Sequence, residues 1–249
     1  MDLARYARQV ALPDFSESDQ YRLSTAAVLV IGAGGLGCPV IQQLAGSGVG
    51  QIDIIDGDQI EISNLPRQLL FRDQHIGQPK ATIAAEQCRA LNPRVLSTAY
   101  PVYLDQHYSA SFFDPYDVLV DATDTFQARY LINDLAVAVG KTVVSGALFQ
   151  YEGQVTTYNH KGGPTYRCLF PNESKVGFGC AISGVLNPLT NWIGSMMSMD
   201  ILNVLLERET LSGCLVLADA KRLSIQKVRY QRDGQQIERA RNNMKNQAL

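Results

Sequence analysis

Short apolar runs alternate with amphipathic segments through the first half of the chain. Residues 27–31 (AVLVI) are continuously apolar and end in glycines, which predicts a strand buried on both faces. Residues 38–45 follow as a helix, stopped by Gly46, Gly48 and Gly50. Residues 51–55 read as a second strand ending in acids. Pro79 opens a helix over 80–91, and Asn92-Pro93 ends it. Strands are expected over 95–102 and 118–120, then a helix over 125–139 closed by Gly140, then a strand over 142–144. Strands alternating with helices imply right-handed crossovers and a mainly parallel sheet.

The second half has another rhythm. Residues 154–158 and 215–218 read as strands, and 223–228 alternates apolar and polar like a half-buried antiparallel strand. Residues 189–206 read as a long apolar helix, with Met196, Met197 and Met199 as core or subunit-interface filler. Residues 231–249 are charged, rich in Asn and without aromatics, so a solvated or disordered tail is expected. The expected architecture is α/β, a mainly parallel sheet continuing into antiparallel strands, with helices on both faces. Residues 1–230 are expected to form a single domain.

Composition narrows the function classes. A chain of 249 residues, 46% hydrophobic and 18% charged, is not globally disordered. Its net charge of −2 gives no basic field, which argues against nucleic acid or an acidic membrane as main partner. Five cysteines, none in a CxxC pair, point to a reducing compartment and away from a disulfide scaffold. Residues 1–10 carry Asp2, Arg5 and Arg8 where a signal peptide would be apolar. The uncharged run 23–52 is too rich in glycine, and contains Pro39, for a membrane span. A soluble cytoplasmic protein is expected.

The candidate chemistry sits after predicted strands. Gly32-Ala33-Gly34-Gly35-Leu36-Gly37 satisfies GxGxxG between a strand and a helix, and Asp56 ends the next strand. Glycines let backbone approach a phosphate, the helix N-terminus supplies N–H donors, and an acid in that place binds ribose hydroxyls. This is a Rossmann-like nucleotide site; its plain structural alternative is a tight turn for helix–sheet packing. Asp56-Gly57-Asp58 then leads to Ser63-Asn64-Leu65-Pro66-Arg67-Gln68, a polar set that a simple dinucleotide fold does not need. Arg67 offers a fork of donors to a phosphate chain. Lys80 stands in the first turn of a helix, against the dipole, which suggests an anionic partner.

Asp121-Ala122-Thr123-Asp124 falls at the carboxyl end of a strand, where open α/β sheets bind ligands. Its two carboxylates suit Mg²⁺ beside phosphates. Asp124 is also placed to cap the next helix, with Asp121 or Thr125 as the alternative caps. Cys180 lies in a glycine-rich loop, as either a reactive thiol or an inert one. The histidines His75, His107 and His160 share no metal spacing. Cationic groups, a possible Mg²⁺ site and a glycine loop together suit a nucleoside triphosphate better than a hydride-transfer cofactor.

Taken together, the segments RYARQ (5–9), GAGGLG, DGD with SNLPRQ, GQPK (77–80), DATD, SGA with EGQ, YRCLFP (166–171) and the loop cysteine resemble the ThiF/MoeB adenylyltransferases. These are relatives of the ubiquitin-activating enzymes, and the similarity extends to about Tyr230. The resemblance implies ATP-dependent adenylation of the C-terminal Gly-Gly of a ubiquitin-like sulfur-carrier protein of thiamine or molybdopterin type, with release of pyrophosphate. It implies nucleotide contacts from Gly32, Gly34, Gly35, Gly37, Asp56, Asp58, Ser63, Gln68 and Thr125. Asn64, Arg67 and Lys80 would face the triphosphate, and Asp124 would ligate Mg²⁺. Arg8 would act across a homodimer interface, and a separate sulfur donor would be needed.

Two departures stand out. Family members bind zinc through two CxxC pairs; here only Cys168 of the first remains and no cysteine follows Cys214. No structural zinc is expected, and packing alone would have to hold the second half. Thr125 replaces an asparagine common in relatives, which puts nucleotide contacts there in doubt. Cys180 matches a cysteine that joins a covalent step in some members and is dispensable in others. Rival readings are a tRNA-modifying relative of the same fold and a non-catalytic scaffold that docks carriers.

Overall fold

The computed structural model describes residues 3–106, 108–172 and 184–247. The apolar run Ala27–Ile31 becomes β1, every residue of it buried. A strand with no polar face needs cover on both sides, and β1 lies inside an eight-stranded sheet. Its parallel neighbours are β2 (Gln51–Ile55) and β4 (Val118–Asp121). β3 (Ala99–Tyr100) pairs with β2, and β5 (Thr142–Phe149) pairs with β4, both parallel. β6 (Glu152–Tyr158), β7 (Cys214–Asp219) and β8 (Ser224–Arg229) then add antiparallel. The spatial order is β3-β2-β1-β4-β5-β6-β7-β8. β8 is the outer strand, exposed at every residue after Ser224.

α1 (Ala7–Val10) and α2 (Glu17–Thr25) precede the sheet, α2 opening on a capping box between Ser16 and Asp19. α3 (Gly37–Ser47), α4 (Lys80–Leu91) and the long α8 (Asn187–Leu205) cover one face. Val28, Val30, Ile52, Ile54, Leu44 and Ile193 share that core. α8 crosses α3 closely because Gly194 lacks a side chain; a Cβ there would lie 2.5 Å from Pro39 Cγ. α5 (Ala110–Phe113), α6 (Phe126–Val139) and α7 (Tyr166–Leu169) lie against the other face, where Ile132 and Leu135 of α6 share a core with Leu29, Leu119 and Tyr158 of the sheet. The methionines of α8 divide: Met197 is buried in the core, whereas Met199 is exposed. No helix of the described residues is long and apolar enough to cross a membrane.

Three expectations need correction. The strand over 95–102 shrinks to Ala99–Tyr100 plus a bridge at Leu96. Asp53, buried in β2, takes the Thr98 N–H at 2.8 Å, so a side chain replaces a ladder carbonyl there. The expected disordered tail instead forms α9 (Gly234–Gln247). Ile237 and Ala240, three apart, bury against Val137 of α6 with Cys168 beside them. Met244, one turn further on, packs against the core cluster that holds Leu135 and Tyr166, so three apolar positions on a largely polar helix dock it.

Packing alone does not hold the second half either. Arg167, 2% exposed, gives two hydrogen bonds to Asp134 at 2.6 and 2.7 Å and lies over the Tyr130 ring. Asn243 of α9 donates to the same carboxylate at 2.8 Å. Tyr130 donates to the carbonyls of Phe170 and Asn172, both at 2.9 Å. Cys168 receives the Asp233 N–H at 3.3 Å. The two ends of the second half are thus tied through one buried ion pair. Asp134→Ala leaves the Arg167 charge buried without its partner and is expected to cost about 3–5 kcal/mol of stability. Urea unfolding measures it, and an unchanged midpoint would show that the pair is dispensable.

Candidate nucleotide site

The parallel pairing sets the carboxyl ends of β1, β2, β4 and β5 along one edge. Order reverses between β1 and β4, and crevices form at such switch points. Gly32 leaves β1 at φ +96, and a Cβ there would stand 2.8 Å from the Ala122 carbonyl oxygen. A Cβ on Gly37 would come within 1.9 Å of the Gly32 oxygen. The glycine loop therefore folds back on itself and against the loop after β4. The first turn of α3 closes on the same loop: the Cys38 and Val40 N–H groups donate to the Gly34 and Leu36 carbonyls, and Pro39 has no N–H to offer.

Asp56 ends this loop's freedom. Its carboxylate accepts the Ala33 N–H at 2.7 Å and the Asp58 N–H at 2.8 Å, stapling the glycine loop to the end of β2. Burial pushes the Asp56 carboxyl up despite these bonds. Two oxygens have further lone pairs, so the group retains acceptor capacity for ribose hydroxyls.

Arg67 and Gln68 come to the loop from the segment after β2. The Arg67 stem lies 3.8 Å from the Cβ position of Gly35, and Gln68 Nε2 is 3.8 Å from that of Gly34. Arg67 donates to the Ser63 carbonyl at 2.8 Å. Gln68 is buried, and its Oε1 has no hydrogen-bond partner among the described residues. An orphaned amide oxygen beside a glycine loop accommodates a ligand donor. Asn64 is also buried, but its Oδ1 takes the Glu61 N–H and its Nδ2 reaches Ser63 Oγ. Asn64 thus shapes the turn, and Ser63 is exposed on it.

Lys80 is 6% exposed, and its Nζ donates to Asp58 Oδ2 at 2.8 Å. Tyr103 donates to the other Asp58 oxygen at 2.5 Å. Burial opposes it, but these two donors hold the Asp58 carboxyl below the ordinary carboxylate range. Tyr103 was not legible as a site residue. Its ring occupies the space a Cβ on Gly57 would need, 2.6 Å away, and the charges of Asp56 and Asp124 both act on its phenol. Only the juxtaposition of Gly57 with an exposed aromatic reveals it.

After β4 the two aspartates part. Asp121 is 2% exposed and spent internally on Thr123, Ser145 and Arg129. Buried and so engaged, it does not offer a free carboxylate beside Asp124. Asp124 is exposed, and Thr125 rather than Asp124 caps α6, accepting the Ala128 N–H at 3.2 Å. Among the described residues, no three His, Cys, Asp or Glu side chains gather into a metal site of their own. A single exposed carboxylate sharing a cation with substrate phosphates is how Mg²⁺ is commonly held, so the donor set fits that ion.

Arg8 is not brought to this edge within one chain. Its neighbour Tyr6 packs on Gly48 and bonds Asn92, at the far ends of α3 and α4. An eleven-residue helix such as α3 spans about 16 Å from the site to that end. Cys180 lies outside the described residues. Cys38 is inside the core beneath the loop, its thiol pushed up to about 12 by burial.

Residues 6–238 match the ThiF family. A sulfur carrier protein adenylyltransferase of Thermus thermophilus is 43% identical over 93% of this chain and 89% of its own. The adenylyltransferase and sulfurtransferase MOCS3 of Arabidopsis thaliana is 42% identical over 90% of this chain; this chain spans about half the length of such MOCS3 relatives, 50% in that case. In fold, the crystal structure of E. coli MccB with ATP has a TM-score of 0.73 at 20% identity, covering 87% of this chain and 66% of that one. The crystal structure of PaaA has a TM-score of 0.76 at 20% identity, covering 92% and 74%. The chain belongs to the ThiF family, and within it is an enzyme of the adenylyltransferase class.

The lowered folded value of Asp58 sets a pH test. The contribution of its ionised form to stability is complete above the unfolded carboxylate range, near pH 4, and is lost as pH falls through the lower folded value. Urea unfolding of wild type and Asp58→Asn should therefore differ at pH 6 and converge toward pH 2. A constant difference would mean that the carboxylate charge is not what matters.

Proposed function

We propose that the chain uses ATP to adenylate the C-terminal Gly-Gly carboxylate of a ubiquitin-like sulfur-carrier protein. The observation that carries this is the buried Lys80 ammonium at the crevice edge, held only by Asp58 among the described residues. It is a cation with a resting counter-ion, ready to exchange it for phosphate. The Thermus relative supports the choice of carrier.

The reaction asks for little acid–base chemistry. A carboxylate is already ionised at neutral pH, so the carrier terminus attacks the α-phosphorus without a general base. The bond to pyrophosphate breaks and the electron pair leaves with it. Catalysis then rests on positioning two anions and stabilising charge on the leaving group. Gly34 and Gly35 let the backbone approach the phosphates, Asp56 receives the ribose, and Arg67 with Lys80 draws the pyrophosphate. Asp124 would hold Mg²⁺, which neutralises phosphate charge when bound. A second copy of the chain would supply Arg8, and a separate protein would supply sulfur.

Carrier-dependent ATP–pyrophosphate exchange tests this reading with carriers of thiamine and molybdopterin type. Exchange is expected with one of them, and that result names the pathway. Arg67→Ala and Asp124→Ala should each reduce exchange by about 100-fold or more while the protein stays folded. No exchange with any Gly-Gly carrier, in a folded protein that binds ATP, would overturn the proposal. Near-normal exchange in either variant would overturn that residue's role.

A further inference from the structure

Arg129 is not explained by the site as described so far. It lies in the first turn of α6, where a cation opposes the helix dipole, yet it is only 6% exposed. Its guanidinium reaches three pieces of the sheet edge. One nitrogen donates to the Thr123 carbonyl at 2.5 Å, the residue before Asp124. The other donates to the Gly146 carbonyl at 2.9 Å and to Ser145 Oγ at 3.3 Å, both in β5. The same nitrogen stands 3.5 Å from the Asp121 carboxylate. Asp121 in turn takes the Thr123 hydroxyl at 2.6 Å and the Thr123 N–H at 3.1 Å.

Every polar backbone group of Thr123 is therefore fixed by this cluster. Among the described residues, the loop has no other such anchor between Ala122, whose N–H bonds β1, and Thr125, which caps α6. We infer that Arg129 is a positioning residue for Asp124: its fork locks the Thr123 peptide against β5, and so fixes where the Asp124 carboxylate stands at the crevice. A planar fork suits this task because its two terminal nitrogens serve acceptors on two different elements at once. A lysine ammonium has one nitrogen and cannot span them. The bland alternative is that Arg129 only neutralises the buried Asp121.

This inference rests on the proposed role of Asp124 toward Mg²⁺, so the test separates the two. Calorimetric binding of ATP is compared with Mg²⁺ and with a chelator. Wild type should bind the magnesium form more tightly, and Asp124→Ala should remove the difference. Arg129→Lys keeps the charge beside Asp121 but loses the fork. It should weaken magnesium–ATP binding about tenfold or more, as outer-shell changes at metal sites do, with metal-free ATP binding unchanged. Ser145→Ala, which removes the hydroxyl's two bonds to Arg129 and Asp121 but leaves the fork on Thr123 and Gly146, should shift it the same way by less, and it carries the test if Arg129→Lys does not fold. If both nucleotide forms weaken together, or neither does, Arg129 is structural and the inference fails. If wild type shows no magnesium-dependent difference, the reading of Asp124 fails first.

Discussion

Parallel strand pairing is the constraint from which the site follows. β2, β1, β4 and β5 run the same way, so their carboxyl ends open onto one edge. Segments far apart in sequence meet there because each leaves the sheet at the same level. The glycine loop after β1, the acids after β2 and the loop after β4 are neighbours for that reason alone. Close approach then demands small residues, and Gly32 and Gly37 touch backbone where any Cβ would collide. The antiparallel strands do not share this edge logic. They extend the same sheet, bonded to β5.

The edge also concentrates groups that are locally unfavourable. Lys80 and Arg129 each occupy the first turn of a helix, and each is almost fully buried. Each is paired with a carboxylate on a neighbouring segment, Asp58 and Asp121. The pairs are unlike. Asp58 is half exposed on its side chain, so an arriving anion meets little resistance in replacing it. Asp121 is enclosed, and its pair with Arg129 belongs to the frame. One ion pair is thus exchangeable and the other fixed, and burial makes the difference.

Most of this was legible in the sequence where a pattern is local. The helix over 80–91 was read to the residue because Pro79 and Asn92-Pro93 bracket it. Strand 27–31 is legible to the residue because burial on both faces leaves it no polar position, and 51–55 because the glycines before it and the acids after it bracket it, although Asp53 lies buried within it. What was missed depends on partners distant in the chain. α9 has too few apolar residues to signal a helix until Val137 and Asp134 are placed beneath it. β3 lost length to the side chain of Asp53, which no strand pattern reveals. Asp121 and Asp124 look equivalent in DATD, and only Arg129 and Ser145 distinguish them. Tyr103 and Arg129 carry no motif, and their importance lies entirely in what they touch.

The outer strand has a consequence of its own. β8 ends the sheet, so one row of its backbone donors and acceptors lacks a strand partner among the described residues. Such a row is a template on which other chains can assemble into fibres. Lys227 and Arg229 stand exposed along it. A second sheet arriving edge-on would have to strip water from an ammonium and a guanidinium before its first ladder bond formed. The same two charges therefore stand against edge-to-edge pairing at this end of the sheet.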